Sequence, residues 1–226
     1  MNKKIIGIIL SILFIVTCVG GCNTVDNNDK NLSENESSVN IEEQNNDIEE
    51  NNKKEGKILV AYFSRAGENY GVGTVKVGNT AMMASYIEEY LNADSFEIVP
   101  VNPYPDSYEE TKTISQKETA DNARPKIKNE VDNFDSYDTI FIGYPIWYGD
   151  YPMIINTFLE SYNFNGKTVI PFNTHGGSGD AGTYSKIESK LLDANVNTNG
   201  LAINGSAART DEGKKQTLNW LKELGY

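Results

Sequence analysis

The sequence predicts an α/β domain over residues 57–226: an open five-stranded parallel sheet with helices on both faces. Short apolar runs without polar alternation recur along the chain, the pattern of strands covered on both faces. Helical periodicities separate these runs. Strand and helix therefore alternate, and right-handed crossovers turn that alternation into a parallel sheet. A stretch of 170 residues suffices for one domain with a sizeable core, and no internal repeat is present.

The elements follow in order. "KILVAYF" (Lys57 to Phe63) is the first strand, and a glycine-rich loop comes after it. From Thr80, "TAMMASYIEEYLN" sets Met83, Ile87, Tyr90 and Leu91 at helical spacing, with Glu88 and Glu89 opposite. "SFEIVPV" (Ser95 to Val101) fits a second strand. The polar piece from Tyr104 to Val131 is expected to hold one or two helices that its mixed periodicity does not divide. "YDTIFIGYP" is a strand ending at Pro145, "MIINTFLESY" a helix and "KTVIPFNT" a strand ending at Thr174. "GTYSKIESKLL" then reads as a helix, "GLAING" as the fifth strand and "DEGKKQTLNWLKELG" as a closing helix capped by the Thr210 side chain.

The amino terminus has a different character. Lys3 and Lys4 precede an apolar run from Ile5 to Val19, shorter than the roughly 20 residues of a membrane-spanning helix, and small residues close it. Residues 1–21 are thus expected to be a secretory signal. Val19-Gly20-Gly21-Cys22 resembles the lipobox of bacterial lipoproteins, which implies cleavage before Cys22 and a lipid on it; simple secretion is the alternative. Cys18 leaves with such a signal, so the mature chain keeps one cysteine and builds no internal disulfide. Residues 22–56 continue with a segment rich in Asn, Glu and Ser, which reads as an acidic tether unable to bury enough surface to order itself. The expected location is extracytoplasmic, held by lipid to the bacterial cell membrane.

The formal net charge is −12 for the whole chain and −7 for Lys57 to Tyr226. An acidic domain without a basic stripe argues against nucleic acid as a partner. The acidity itself reads as a solubility feature.

Ligands of such sheets bind at the carboxyl ends of the strands, where strand order reverses. Three loops occupy those ends: 64–80, 145–151 and 174–179. The first, "SRAGENYGVGTVKVGNT", runs into a helix, whose unpaired terminal amides and dipole suit a phosphate. "GTVKVGNT" nearly matches a nucleotide-binding P-loop, but Asn79 stands where the lysine must be. The second loop, "GYPIWYGDYP", offers the flat faces of Trp147 and Tyr148 to a planar ligand, unless the pair merely covers the core. The third, "THGGSG", brings Thr174 and the lightly shielded backbone of Gly176, Gly177 and Gly179 near a ligand rim. His175 and Ser178 do not form a hydrolase elbow, because "GGSGD" lacks the second glycine of G-x-S-x-G. A single histidine without a cysteine also removes most transition-metal sites. One ligand satisfies all three loops, a phosphate on a short chain bearing a flat heterocycle with polar edges, and flavin mononucleotide (FMN) has that form.

The motifs "ILVAYFSRAG…GNT", "GYPIWYGDYP" and "FNTHGGSG" together resemble the flavodoxin family over most of Lys57 to Tyr226. The resemblance implies FMN as cofactor, with Ser64, Gly78, Asn79 and Thr80 at its phosphate. It implies Pro145, Ile146, Trp147 and Tyr148 along the isoalloxazine, Gly149 presenting backbone to its reactive nitrogen, and Thr174, His175, Gly176, Gly177 and Gly179 on the other edge. About a dozen residues intervene between Ala66 and Gly78 where short-loop flavodoxins have almost none. Ala66, Glu68 and Asn69 are therefore not assigned to the ligand, and the excursion is expected to reach over the flavin or toward a partner. Asp150, beside the second loop, is expected to disfavour added negative charge on the cofactor.

The implied function is membrane-tethered electron transfer to a redox partner protein or a small-molecule acceptor. A reductase passing electrons from NAD(P)H to quinones is the alternative. A binding module that kept the fold without flavin is a third reading.

Overall fold

The computed structural model describes residues 56–226. The signal, Cys22 and the tether lie outside these residues.

The central sheet has the parallel order β4-β1-β5-β6-β7, formed by Asp94–Glu97 (β4), Ile58–Tyr62 (β1), Thr139–Pro145 (β5), Thr168–His175 (β6) and Asn195–Val196 (β7). A further strand, Leu201–Asn204 (β8), also pairs with β6. β7 takes the start of β6, at Thr168 and Val169, and β8 takes its end, from Phe172 to His175. The two short pieces thus share the fifth position, interrupted by residues 197–200. The sequence reading anticipated β8 alone.

Alternate side chains leave the sheet on opposite faces, as a pleated strand requires. Leu59, Ala61 and Phe63 enter one core with Ile140, Ile142 and Tyr144, and α3 (Met153–Ser161) and α4 (Thr183–Lys190) cover it through Ile154, Ile155, Phe158, Leu159 and Ile187. Val60, Phe141, Ile170 and Phe172 enter the other core, covered by α1 (Asn79–Leu91) and α5 (Asp211–Glu223) through Met83, Ile87, Leu91, Trp220 and Leu221. Tyr90 is only half-buried at the margin of α1. Thr210 caps α5, its hydroxyl accepting a hydrogen bond from the Gly213 amide at 3.2 Å.

The polar piece resolves into a single helix, α2 (Tyr108–Ala120), with Ser107 as its cap. The excursion after β1 is an antiparallel hairpin of β2 (Gly67–Asn69) and β3 (Gly73–Val75), outside the main sheet. The chain moves from β1 outward to β4 and then returns to β5 on β1's other side. A cleft opens where neighbouring connections diverge in this way, at the carboxyl ends of β1 and β5.

Candidate functional site

A cavity of about 440 Å³ occupies that cleft, a size typical of small-ligand sites. Its walls come from the three loops, the hairpin and α2. Asn79, Pro145, Ile146, Trp147, Tyr148, Gly149, Thr174, His175, Gly176 and Gly177 all line it. Four residues expected at the site do not line the cavity: Ser64, Gly78, Thr80 and Gly179.

Those four act one layer behind. Ser64 Oγ accepts a hydrogen bond from the Ala81 amide at 3.1 Å, which satisfies one free donor of α1 from outside the helix. Gly78 lies tight against this contact: a Cβ there would stand 2.1 Å from Ser64 Oγ and 2.6 Å from the Arg65 carbonyl oxygen. The Thr80 hydroxyl is buried and hydrogen-bonded to that of Thr174 at 2.9 Å. The Gly179 carbonyl accepts from Asn173 Nδ2 at 3.1 Å, so this glycine shapes the third loop.

The amides of Asn79 and Thr80, first in α1, have no hydrogen-bond partner among the described residues. With the positive end of the helix dipole they form a site for an anion. Asn79 is itself fixed, its Oδ1 accepting from Arg209 Nη1 at 3.3 Å while the same nitrogen donates to the Val77 carbonyl at 2.7 Å.

In the second loop, Trp147 and Asp150 exchange both backbone hydrogen bonds, at 2.8 and 3.1 Å, around Tyr148 and Gly149. Both central residues have positive φ, 54° and 81°, the signature of a type I′ turn. Gly149 adopts this freely, whereas a tyrosine there is strained. Trp147 stands edge-on to Phe63 (5.3 Å between centroids) and Tyr104 (4.9 Å), so it packs on the core and lines the cavity at once. Tyr104 is in turn held by donating its hydroxyl hydrogen to Glu118 Oε2 at 2.8 Å. Tyr148 remains 72% exposed at the cavity rim.

The third loop corrects one expectation. His175 Nδ1 accepts the Gly177 amide hydrogen at 2.9 Å, so that amide is already used within the loop. Burial holds the His175 pKa below the usual imidazole value. With Nδ1 accepting, the neutral ring carries its proton on Nε2.

Asp150 does not line the cavity, and its carboxylate forms an ion pair with Lys186 and accepts the Tyr151 amide hydrogen at 2.8 Å. Its charge is largely offset, which removes most of the basis for the expected effect on the cofactor.

Several lining residues are not singled out from the sequence: Arg65, Tyr70, Tyr108, Thr111, Lys112, Ser115 and Gly205, together with Asn69, left unassigned, and Ser178, considered only as a hydrolase residue. Arg65 donates to the carbonyl oxygens of Pro105 and Asp106 at 2.9 and 3.1 Å and to that of Glu68, clamping the hairpin base. Its Nε is buried without a partner, and burial lowers its pKa despite Asp106 and Glu68 nearby. The hairpin carries Tyr70 across to the third loop, where its ring carbon Cδ1 lies 2.6 Å from where a Cβ on Gly176 would stand. Lys and Arg line the cavity but Asp and Glu do not, in a domain with net charge −7.

The doubly wound sheet, the free helix terminus and the aromatic loop at the switch point define a cofactor-binding α/β domain. The family profile described as flavodoxin matches residues 57–223, and the chain belongs to the flavodoxin family. It is similar to a protein from Bacteroides eggerthii DSM 20697 classed as a flavoprotein, with 33% identity, 76% of this chain and 99% of that one covered, and a TM-score of 0.61. A second such protein, from Bacteroides uniformis ATCC 8492, shows 32% identity, coverage of 75% and 99%, and a TM-score of 0.60. A flavoprotein in complex with FMN, from Lactobacillus acidophilus NCFM, shows 25% identity, coverage of 67% and 95%, and a TM-score of 0.54. No curated protein matches the chain.

Proposed function

We propose that this protein binds FMN and works as an electron-transfer protein, tethered by a lipid on Cys22 outside the bacterial cytoplasmic membrane. The observation that carries the reading is the convergence of the three loops on one open cavity with anion donors at one end and flat side chains at the other. Membership of the flavodoxin family and the likeness to the FMN complex from Lactobacillus acidophilus support it.

The residues present fit the cofactor. The amides of Asn79 and Thr80 receive the phosphate, and the Ser64 hydroxyl, already accepting from Ala81, keeps its own hydrogen to donate. The half-buried Arg65 guanidinium, whose Nε–H is buried without a partner, adds positive charge to the lining. Trp147 and Tyr148 offer faces to the ring system, and Thr174 and Gly176 border its polar edge. The bound cofactor supplies the one- and two-electron chemistry. The protein excludes water with Trp147, backed by Phe63 and Tyr104, and keeps His175 neutral at the rim.

The test is a titration of the cofactor-free protein with FMN. The expected result is stoichiometric quenching of flavin fluorescence, and a protein that leaves the fluorescence unchanged is a binding module without flavin. For the anchor, Cys22→Ser should move the protein from the membrane fraction to the soluble extracytoplasmic fraction. Unchanged membrane partition of that variant would remove the lipid from the account.

A further inference from the structure

We propose that Trp147, Tyr104 and Glu118 form a one-electron relay leading out of the cavity: an oxidising equivalent that lands on the Trp147 indole passes to Tyr104, whose phenolic proton moves to Glu118. The relay uses only side chains of this protein and stands independently of the FMN reading.

The three residues are set in series. Trp147 lines the cavity, whereas Tyr104 and Glu118 lie outside its lining. The Tyr104 ring stands edge-on to the indole, with 4.9 Å between centroids and 85° between planes, so an electron crosses directly from one ring to the other. Phe63 touches both rings, at 5.6 and 5.3 Å, and is itself buried. A phenylalanine is harder to oxidise than either neighbour, so it packs the pair without taking the charge. At the far end the Tyr104 hydroxyl donates to Glu118 Oε2 at 2.8 Å, and Glu118 belongs to the last turn of α2.

The choice of a carboxylate carries the argument. A phenol in this position needs a hydrogen-bond acceptor, and a neutral amide or carbonyl would serve packing equally well. A half-buried carboxylate is costlier, since burial disfavours its charge and raises its pKa against the opposing hydrogen bond from Tyr104. What a carboxylate adds is basicity. Burial and then the neighbouring Glu118 push the Tyr104 pKa up, so the resting phenol keeps its proton. A phenol that has lost an electron is a strong acid, and the loss is eased where a base lies within hydrogen-bond reach of the proton. Glu118 is that base.

The step balances with a radical oxidant from solvent, of the oxygen-derived or azidyl class, that enters the cavity, takes one electron from the indole and leaves as its anion. The oxidised indole takes one electron from Tyr104, and any N–H proton it has shed to water is regained from water. The Tyr104 O–H bond breaks toward Glu118 Oε2, leaving a neutral tyrosyl radical and a protonated carboxyl. A thiolate-class reductant in solvent then returns one electron while Glu118 returns the proton. Trp147 is thereby spared lasting oxidation at the cavity wall.

Pulse radiolysis of the full chain in azide solution, without cofactor, tests the relay, and failure of the FMN reading leaves its outcome untouched. Azidyl radicals oxidise tryptophan ahead of tyrosine at neutral pH, and of the two tryptophans Trp220 is the buried one, packed against Phe141. The indole radical signal should decay as a tyrosyl signal rises, more slowly in deuterated solvent. Tyr104→Phe should slow this transfer about tenfold or more, and so should Glu118→Gln, which keeps an acceptor for the hydroxyl but removes the base. Transfer at the wild-type rate in Tyr104→Phe overturns the relay. Transfer at the wild-type rate in Glu118→Gln, with no solvent isotope effect, overturns it equally, and that variant decides the matter if Tyr104→Phe fails to fold.

Discussion

The hydroxyls of Thr80 and Thr174 lie 2.9 Å apart in the buried space between α1 and β6. This contact joins the anion-binding end of the cavity to its third loop. Thr80→Val or Thr174→Val leaves the other hydroxyl buried and unpaired, which costs about 1–3 kcal/mol. The double variant should cost less than the sum, because both partners are then apolar. Urea unfolding of the two single variants and the double variant measures this, and strict additivity would contradict the coupling.

Gly78→Ala places a methyl group 2.1 Å from Ser64 Oγ and within 3 Å of the Arg65 backbone. Backbone cannot yield as a flexible side chain does, so the first turn of α1 must shift. Overpacking of this kind costs about 1–3 kcal/mol, and the displaced amides should weaken FMN binding by about tenfold or more. Fluorescence titration of the variant checks both the site and the reason for its glycine.

Tyr148→Gly should behave in the opposite sense for stability. Relief of the left-handed backbone contributes about 1–2 kcal/mol, and the extra chain entropy of glycine takes back about 0.5–1 kcal/mol. The expected outcome is a thermal midpoint equal to or above that of the wild type, together with weaker ligand binding. A midpoint well below the wild type's would show that the exposed ring supports the fold.

His175 is the only histidine, so imidazole signals in an NMR titration belong to it alone. Burial lowers its pKa, and the Gly177 amide hydrogen bonded to Nδ1 is lost on protonation. A depressed folded pKa means that the contribution of the neutral ring is complete above the ordinary histidine range, near 6.5, and disappears as pH falls through the lower folded value. Cofactor affinity should therefore drop at mildly acid pH. The part of this drop that His175→Asn abolishes belongs to the side chain, and the remainder to the ligand's own phosphate. An NMR midpoint above 6.5 would contradict the structure.

Glu160 joins α3 to its surroundings through Arg124 at 2.7 Å and through Lys190 at 2.5 Å. Hydrogen bonds from Arg124 and then Lys190 lower its pKa to about 2. The sign is again that of a depressed carboxylate: stability is complete above about 4.5 and is lost as pH falls toward about 2. The group is 42% exposed, so salt screens much of the effect. Glu160→Gln should flatten the dependence of unfolding on pH between these limits, more visibly at low ionic strength.

The parts of the fold legible in the sequence were those whose physics is local. β1, β5 and β6 are buried on both faces, so each is an unbroken apolar run, and the glycines and aromatics at their ends marked the cavity. A helix was expected between Tyr104 and Val131, but the bounds of α2 were not legible because its buried positions are Thr111 and Ser115, so it shows no apolar stripe. That polarity belongs to a wall facing a site. The hairpin escaped because its strands are three residues each and its support is distant: the Glu68 amide donates to the Asp106 carbonyl at 2.8 Å. Asp150 was misjudged for the same reason, since its partner Lys186 lies in α4. β7 was missed because two residues are too few to show a period.

The divided fifth strand has a bearing on how copies of the protein tolerate crowding. At one margin of the sheet, β7 and β8 leave only short rows of unpaired backbone, and at the other β4 is four residues long with an acid at each end. Neither margin gives a neighbouring chain a long template on which to add a strand. Even at high local concentration the molecules are thus guarded against growing into fibres through their sheets.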